Sequence, residues 1–392
     1  MHIAYLIPTI DRIGGAERQL MLLAAGMARR DWRVTVIALA GDGGQAAQNL
    51  SAANVSFLSL EMRRGLVDPH GWNRLRRWID SAKPEILHAH LAQAALMARC
   101  IRLLAPVRVL IDTIHSPATG SATRRFGYRI TSGLPNVITA VSQACANPWL
   151  SARTLRRSEL AVIPNGIDTE YWKPASPSPD DVHRCSTKSD EFHWIAVGRL
   201  NAVKDYPTLL QAFSILPQTA RLTIAGSGPL ESALHLQATE LGIGDRVRFL
   251  GFQSDMRRLM QHSDGFVLSS RWEGHPIALM EASACELPVV FTETPGSREL
   301  LPSSALPIAP AGDPSALAIA MKALMDLPKC EQRRLGRIGR QRIRASFEAH
   351  SVLARFESLY CGLLAANPCR SRYREKPYTV LPARVCSSSP ET

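Results

Sequence analysis

Two glutamates flank a predicted helix start in the segment Glu273-Gly274-His275-Pro276-Ile277-Ala278-Leu279-Met280-Glu281. The preceding run Asp264–Ser270 has the apolar pattern of a short buried strand. Proline suits the first helical position, whose N–H has no intrahelical partner, so Pro276 indicates where the helix begins. The free N–H groups there form an anion site, while Glu273 and Glu281 can accept hydrogen bonds from hydroxyls on either side. The segment therefore suits a nucleotide-sugar.

A second segment supplies fixed positive charge. Arg199 and Lys204 follow the predicted strand Phe192–Val197, within the run Gly198–Asp205. When a sugar leaves a nucleoside diphosphate, negative charge grows on the phosphate oxygens, and fixed cations there lower the barrier. The fork of an arginine and the point charge of a lysine both suit phosphate. We therefore predict Arg199 and Lys204 as catalytic residues, the alternative being that both are ordinary surface side chains.

Two glycines and two histidines complete the candidate site. Gly14 and Gly15 follow the first predicted strand and open a helix, so they allow a phosphate to approach the backbone closely. Their spacing is not that of the dinucleotide fingerprint. His90 and His115 each end a predicted strand and are expected to face one cleft, where a ligand would bind. No third ligand stands at metal-binding spacing, so no metal is expected.

The size and composition describe a globular chain. Its 392 residues, 46% hydrophobic and 20% charged, suffice for two domains of ordinary size. No apolar run approaches the roughly 20 residues that span a bilayer, and Met1–Ile10 lacks the features of a signal peptide. Eight cysteines without C-x-x-C spacing argue against zinc or a disulfide framework. These features predict a protein of the reducing cytosol.

The net charge of +12 indicates a negatively charged partner. Nucleic acid, an anionic membrane surface and phosphorylated small molecules would each fit, but no nucleic-acid motif occurs. Arginine pairs in the first half favour a surface that faces acidic lipid head groups, with surplus surface charge as the alternative. The pairs are Arg29-Arg30, Arg63-Arg64, Arg76-Arg77, Arg124-Arg125 and Arg156-Arg157.

Short apolar runs alternate with segments of helical period, which is the βαβ pattern of an open parallel sheet. The strands predicted in the first half are Ile3–Ile7, Val34–Leu39, Val55–Leu60, Ile86–His88, Val107–Ile114, Val137–Val141 and Ala161–Pro164. Those of the second half are Phe192–Val197, Arg221–Ala225, Val247–Leu250, Gly265–Leu268 and Pro288–Phe291. The sequence thus predicts two Rossmann-like, doubly wound α/β domains that face a cleft.

The domain boundaries follow from where this alternation stops. We predict an N-terminal domain over residues 1–172 and a C-terminal domain over residues 191–348. Residues 173–190 between them are rich in proline and serine and predict a linker or mobile loop. After Asp313 a helical pattern continues to about Ala366, with an apolar stripe in its last part. Residues 367–392 lack an apolar period and predict a mobile tail.

Together these segments resemble the retaining glycosyltransferases of family 4. The family's Glu-Gly-x-Pro signature, with a second glutamate eight residues on, matches Glu273–Glu281. Its Gly-Arg-Leu…Lys-Asp segment matches Gly198–Asp205, and its Gly-Gly-Ala-Glu-Arg turn matches Gly14–Arg18. Gly226–Pro229 and Asn165–Asp168 match two further turns that we interpret as structural.

The resemblance covers most of residues 1–365 and implies a fold and a reaction. The fold is GT-B, whose last helix, here 349–366, crosses back to the acceptor-side first domain. The reaction moves a hexose-type sugar from UDP or GDP to an acceptor hydroxyl with retention, by front-face substitution in which the leaving phosphate helps to deprotonate the acceptor. Polysaccharide or glycolipid assembly is the expected setting, with a sugar or lipid-linked sugar as acceptor. No cofactor and no metal are implied.

The resemblance also implies residue roles. Arg199 and Lys204 bind the diphosphate, and Glu273 contacts the donor near the sugar–phosphate junction. Glu281 holds the ribose, and His115 orients the sugar. Glu273 and His115 thus join Arg199 and Lys204 as predicted catalytic residues. The predicted substrate-binding residues are Glu281, Gly14, Gly15, His90, His275, Pro276, Ile277 and Ala278.

Three positions depart from the family pattern. The family commonly has an aromatic or aliphatic residue where His275 stands, and glycine where Glu286 stands. Pro295 replaces a second glycine. We therefore expect an altered nucleobase or sugar pocket near His275 and an altered backbone at residues 294–299.

Two other functions stay open. A nucleotide-sugar 2-epimerase has the same fold, although the paired glutamates and the Gly198–Asp205 segment favour transfer. A non-catalytic subunit that binds polysaccharide or lipid-linked sugar is the second alternative. An epimerase would convert the donor without any acceptor, and a binding subunit would fail to bind UDP or GDP. The expected location is the cytoplasm, with peripheral attachment at the inner face of the cell membrane.

Overall fold

The computed structural model describes residues 1–11, 14–63, 68–105, 107–156, 158, 160–175, 191–253, 255–301 and 308–368. Within these residues the strands form one sheet of seven strands and one of six. Neighbouring strands in both sheets run parallel. In each sheet the strand order reverses beside a central strand, so both are doubly wound, as predicted.

The first sheet has the order β3-β2-β1-β4-β5-β6-β7. Its strands are β1 (His2–Ile7), β2 (Arg33–Ala38), β3 (Ser56–Ser59), β4 (Ile86–His90), β5 (Val109–Ile114), β6 (Val137–Ala140) and β7 (Leu160–Val162). The helices between them are α1 (Gly15–Ala28), α2 (Gly44–Ala52), α3 (Pro69–Ala82), α4 (Ala92–Ile101), α5 (Ala122–Ile130) and α6 (Gln143–Ser151). Along β1, Ala4 and Leu6 enter one hydrophobic core, whereas Ile3 and Tyr5 enter another. Both faces of the sheet are therefore covered, which explains its nearly continuous apolar strands.

The second sheet has the order β10-β9-β8-β11-β12-β13. Its strands are β8 (Phe192–Val197), β9 (Ala220–Ala225), β10 (Val247–Phe249), β11 (Gly265–Leu268), β12 (Val289–Thr292) and β13 (Ile308–Ala309). Its helices are α7 (Tyr206–Ser214), α8 (Glu231–Glu240), α9 (Met256–Gln261), α10 (Ile277–Ala284), α11 (Pro295–Leu300), α12 (Pro314–Asp326) and α13 (Lys329–Phe347). One large core that includes Trp194, Phe213 and Phe266 fills this half of the chain.

Helix α14 (Ala349–Ala366) returns to the first sheet, which confirms the predicted crossing helix. Its Tyr360 is buried, and the hydroxyl lies 3.3 Å from the hydroxyl of Tyr5 on β1. Leu353 packs on Gly26 of α1 so closely that a Cβ added to the glycine would lie 2.4 Å from a leucine methyl. Two doubly wound sheets with this crossing helix are the GT-B architecture.

The predicted strands are confirmed, with ends that differ by one or two residues. The helical stretch predicted after Asp313 is three helices, because proline at 328 cannot supply an N–H and Glu348 takes an extended backbone. Glu348 instead bridges Ile167 of the first half. The two-residue strand β13 at the sheet edge was not predicted, since so short a run carries no periodicity.

Most of the predicted linker (173–190) and tail (367–392) lies outside the described residues, which include only 173–175 and 367–368. The division at residues 172 and 191 therefore stays a prediction. Among the helices that the structure describes, none combines the length and the apolar character needed to cross a membrane.

Candidate active site

The loop at residues 273–276 lies after β11, where the two halves of the chain meet. The hydroxyl of Ser142, at the start of α6, donates to the backbone oxygen of Gly274 at 2.6 Å. A Cβ added to Gly274 would lie 2.3 Å from the sulfur of Cys145, so this approach requires glycine or a local shift. The carboxyl ends of both sheets thus face one cleft, the usual ligand position in doubly wound folds.

Lys204 and Glu273, both predicted as catalytic residues, form an ion pair in this cleft. The Lys204 Nζ atom lies 2.5 Å from Glu273 Oε1, and the hydroxyl of Ser270 donates to the same oxygen at 2.6 Å. Only 21% of the lysine and 12% of the glutamate side chain is exposed. Ser269 donates to the backbone oxygen of Lys204 at 2.8 Å. The loops after β8 and β11 are therefore fixed to each other, and the charge of Glu273 is compensated.

Arg199, the second predicted cation, is exposed on the loop after β8. It lies near Glu17 of α1: burial raises the pKa of the Glu17 carboxyl, and the charge of Arg199 opposes that shift. Glu17 in turn accepts from the N–H of Gly14 at 3.0 Å and so caps α1. The predicted glycine turn and the predicted cation therefore face each other from the two halves of the chain.

The start of helix α10 presents unpaired backbone N–H groups to the cleft. Pro276 is its N-cap, one residue before the helical position predicted for it, and no described side chain caps this end. The first intrahelical bond runs from Met280 N–H to Pro276 O, so the N–H groups of residues 277–279 lack an intrahelical acceptor. Gly15 approaches from α1, where an added Cβ would lie 3.2 Å from Ile277 Cδ1. The partial positive charge of this helix end favours an anion.

Glu281, the second of the paired glutamates, has a partner within the chain. It is 2% exposed, and its Oε1 lies 2.5 Å from Nη1 of Arg18 on α1. Burial raises the pKa of Glu281, and the charge of Arg18 opposes that shift. A buried carboxylate requires a counter-charge or hydrogen-bond donors, and Arg18 supplies both. The sequence shows Arg18 only as part of a glycine turn, so its pairing with a residue 263 positions away was missed.

His90 and His115 lie together, as predicted from their strand ends. His90 Nδ1 is 2.9 Å from His115 Nε2, so one ring N–H donates and the other nitrogen accepts. Burial lowers the pKa of His115 to about 4 and that of His90 well below its ordinary value, so both rings are neutral at pH 7. His90 is 2% exposed, whereas His115 is half-buried. Of the two, His115 reaches the cleft and His90 supports it from behind.

His88, to which the sequence analysis gave no role, connects this pair to the crossing helix. Its Nε2 lies 2.6 Å from the Thr113 hydroxyl, and its Nδ1 lies 2.8 Å from the Tyr360 hydroxyl on α14. The His88 ring also lies 4.4 Å from the ring of His90, centroid to centroid. The signal was present in the sequence, because residues two apart on a strand share one face.

The His275 ring packs against the ring of Phe347 on α13. It is 7% exposed and meets the ring of Phe347 edge-on, with 5.1 Å between centroids. Burial lowers the pKa of His275 to about 3. Its backbone oxygen accepts from the Asn165 side chain at 3.5 Å. An apolar ring contact suits the aromatic or aliphatic residue common in the family, and the predicted substrate-binding role of His275 stays a prediction.

The other two departures concern backbone. Glu286 has a left-handed φ of 60°, the conformation that glycine adopts without strain, which explains why glycine is usual there. Pro295 begins helix α11, capped by Thr294, so residues 294–299 form a regular helix start. An added Cβ on Gly296 would lie 2.4 Å from the Gly274 oxygen, so α11 presses directly on the loop at 273–276.

Two family models match the chain. The model described as Glycosyltransferase Family 4 matches residues 13–171, and the model described as Glycosyl transferases group 1 matches residues 181–342. The matched residues include the glycine turn, both cations and both glutamates, so the models meet at the cleft described above.

Similarity to individual proteins supports the same family. The Escherichia coli UDP-Gal:alpha-D-GlcNAc-diphosphoundecaprenol alpha-1,3-galactosyltransferase is 26% identical over 58% of this chain; the match spans 62% of that enzyme, less than two thirds of its length. The lipopolysaccharide core biosynthesis glycosyltransferase LpsE of Rhizobium meliloti is 29% identical over 72% of this chain and 77% of its own. Anabaena HepE in complex with UDP and glucose has the same fold, with a TM-score of 0.80 and 21% identity over 92% of this chain and 100% of that one. The two family models, which together span most of the chain, show that it belongs to the family 4 glycosyltransferases.

Proposed function

We propose that the chain transfers a hexose-type sugar, with retention of configuration, from a UDP- or GDP-linked donor to an acceptor hydroxyl. The observation that carries the proposal is the convergence in one cleft of the Lys204–Glu273 pair, the uncapped start of α10 and the buried Glu281. A diphosphate fits between the cation and the helix end, and a ribose fits at Glu281. The UDP and glucose bound to HepE support a UDP-linked donor.

In the proposed reaction, the bond between the anomeric carbon and the diphosphate breaks, and the acceptor oxygen bonds to that carbon on the same face. The acceptor proton passes to an oxygen of the leaving diphosphate. Lys204 and Arg199 stabilise the negative charge that develops there, and the partial burial of Lys204 strengthens its effect. Glu273 is already engaged by Lys204 and Ser270, so we assign it to orienting the donor and not to nucleophilic attack.

Donor binding then exchanges the partner of Glu281. Arg18 holds this carboxylate in the structure, and 31% of the Arg18 side chain is exposed. When ribose hydroxyls donate to Glu281, Arg18 is released beside the start of α10, where it can meet the diphosphate. The exchange keeps each buried charge compensated, which a buried carboxylate requires. His115 would donate to or accept from a sugar hydroxyl as a neutral ring.

For the acceptor we propose a lipid-linked, phosphate-bearing sugar in polysaccharide or glycolipid assembly, reached from the cytoplasmic face of the membrane. The E. coli relative is named for an acceptor with a diphosphoundecaprenol group, and the R. meliloti relative for lipopolysaccharide core biosynthesis. Both names support this class of acceptor. The net charge of +12 favours an anionic acceptor for the same reason that it favours an anionic donor.

A thermal-shift panel of UDP- and GDP-sugars tests the donor assignment. We expect one donor family to raise the melting temperature, because a ligand that binds only the folded chain stabilises it by mass action. Incubation of that donor without any acceptor then separates the alternatives. A donor converted at carbon 2 would identify an epimerase, and a chain that binds neither UDP nor GDP would leave only the binding-subunit alternative.

Chelation should leave the activity unchanged, since we assign charge neutralisation to Arg199, Lys204 and the start of α10. The described residues contain no group of three His, Cys, Asp or Glu side chains that could hold a metal ion. The measurement is sugar transfer after dialysis against EDTA. Complete loss of activity that Mg²⁺ or Mn²⁺ restores would refute this assignment.

A further inference from the structure

Helix α5 carries an exposed surface on which positive and apolar side chains alternate. Phe126 and Ile130 are 65% and 66% exposed, and at this spacing they lie one turn apart on the same side of the helix. Arg124 and Arg129 are exposed beside them, and Arg125 is half-buried. We call these five residues the α5 surface. Large apolar side chains in water, flanked by arginines, are typical of a helix that lies in a membrane interface.

The part of the sequence around the α5 surface carries almost no negative charge. Between Glu85 and Glu159 the only carboxylate in the sequence is Asp112. Asp112 is buried and bound by Arg99, with 2.5 Å between Arg99 Nη2 and Asp112 Oδ2, so it offers no charge to the surface. Within the part of the chain that the structure describes, no carboxylate pairs with the three arginines of the α5 surface; Arg125 donates to the backbone oxygen of Gly120 at 2.7 Å. Their positive charge is therefore available to an external anion.

The inner side of the helix packs on the first half of the chain. Tyr128, on the inner side, is 2% exposed and packs on Trp149 with 4.6 Å between ring centroids. The guanidinium of Arg99 lies 4.2 Å from the centre of the Tyr128 ring and donates to the Tyr128 backbone oxygen at 3.1 Å. Leu103 and Leu104, just after the neighbouring helix α4, are 70% and 57% exposed and add apolar area on this side of the chain.

We propose that the α5 surface docks on an anionic lipid bilayer, with the arginines at the head groups and Phe126 and Ile130 at the acyl boundary. Charge complementarity selects this occupant, because the apolar pair needs a nonpolar phase and the arginines need anions next to it. A nucleic acid would satisfy the arginines and leave Ile130 in water. Of the five arginine pairs in the first half, this one stands beside two exposed large apolar side chains.

The α5 surface lies a short distance along the chain from the cleft. His115 ends at the cleft directly after β5, and residues 116–121 lead from it into α5. A bilayer at the α5 surface would thus bring a lipid-linked acceptor to the His115 side of the cleft. This part of the inference rests on the proposed function, whereas membrane binding itself does not and can be measured without donor or acceptor.

The test is sedimentation of the full chain with phosphatidylcholine vesicles that contain or lack phosphatidylglycerol. We expect binding at low salt to the anionic vesicles only, reversed at 1 M salt, where the Debye length is about 3 Å. Arg124→Gln with Arg129→Gln should weaken the partition constant about 25-fold, about fivefold for each arginine. Phe126→Ser with Ile130→Ser should weaken it at least about tenfold.

Two variants of the second half serve as matched controls. Ile319→Ser removes an apolar side chain that is 71% exposed on α12, and Arg337→Gln removes an exposed arginine on α13. Both should bind as the unchanged chain does, and both α5 double variants should keep its melting temperature.

Failure of the unchanged chain to bind anionic vesicles at low salt would overturn the proposal, as would equal binding of all variants. Loss of binding to duplex RNA in the arginine variant, with vesicles ignored, would assign the surface to nucleic acid instead. None of these results bears on sugar transfer, so the two proposals can fail separately.

Discussion

Lys204→Ala and Arg199→Ala each lower the turnover number on the order of 10²-fold or more, with the fold intact. The reason is that the charge of each side chain acts mainly on the diphosphate as it leaves, so its loss is felt in the transition state. For Lys204 a second effect adds to the first, since Glu273 loses the ammonium that lies 2.5 Å from its carboxylate. Steady-state kinetics with the donor identified by thermal shift provide the measurement, and kcat should fall by a larger factor than KM rises.

Lys322→Ala is the matched control for the lysine variant. Lys322 also pairs with a carboxylate, Asp326 at 2.6 Å, but it lies on α12 with half of its side chain exposed. Exposed pairs of this kind contribute little, so turnover and stability should stay unchanged. Near-normal turnover in both Lys204→Ala and Arg199→Ala would contradict the assignment of these two side chains to the leaving diphosphate.

Glu281→Ala weakens the binding of bare UDP or GDP by roughly 10- to 100-fold, because a hydrogen bond to a charged group contributes about 1.5–3 kcal/mol. The ribose contacts exist in the ground state, so the loss appears in affinity and not only in rate. Glu273→Ala should do the reverse and reduce turnover more than nucleotide affinity. Titration calorimetry with the bare diphosphate measures the first effect, and steady-state kinetics measure the second.

The control for Glu281→Ala is Glu357→Ala. Glu357 also pairs with an arginine, Arg30 just after α1, at 2.5 Å, but it lies on the crossing helix outside the cleft. Its removal breaks a comparable arginine–carboxylate pair without touching the proposed ribose position, so nucleotide affinity should not change. If Glu281→Ala binds the nucleotide as tightly as the unchanged chain does, the ribose role is wrong.

The fold could be predicted because its strands and its helices each carry a strong hydrophobic pattern. Strands such as Ile3–Ile7 are apolar throughout, since both faces of each sheet are covered, and the helices between them carry an apolar stripe. Two local features were not predicted. Proline at 328 breaks a continuous helical period, and a two-residue edge strand has none.

The residues of the candidate site could be predicted from the sequence, but the contacts between them could not. Residues beside strand ends could be assigned to one cleft, because parallel strands end at one edge. Nothing local reveals that Arg18 meets Glu281 or that Lys204 meets Glu273, since tertiary packing decides both contacts. Likewise nothing local reveals that the His275 ring packs on Phe347. Roles that depend on the direction of a side chain require the folded structure.

The stereochemistry of donor hydrolysis tests the central claim most directly, because water can replace the unidentified acceptor. The donor selected by thermal shift would be incubated with the chain, and the first sugar released would be followed by proton NMR before its anomers equilibrate. We predict that an α-linked donor yields the α-anomer first, and that Lys204→Ala lowers the rate of release on the order of 10²-fold or more. Release of the β-anomer first, or of a sugar altered at carbon 2, would contradict it.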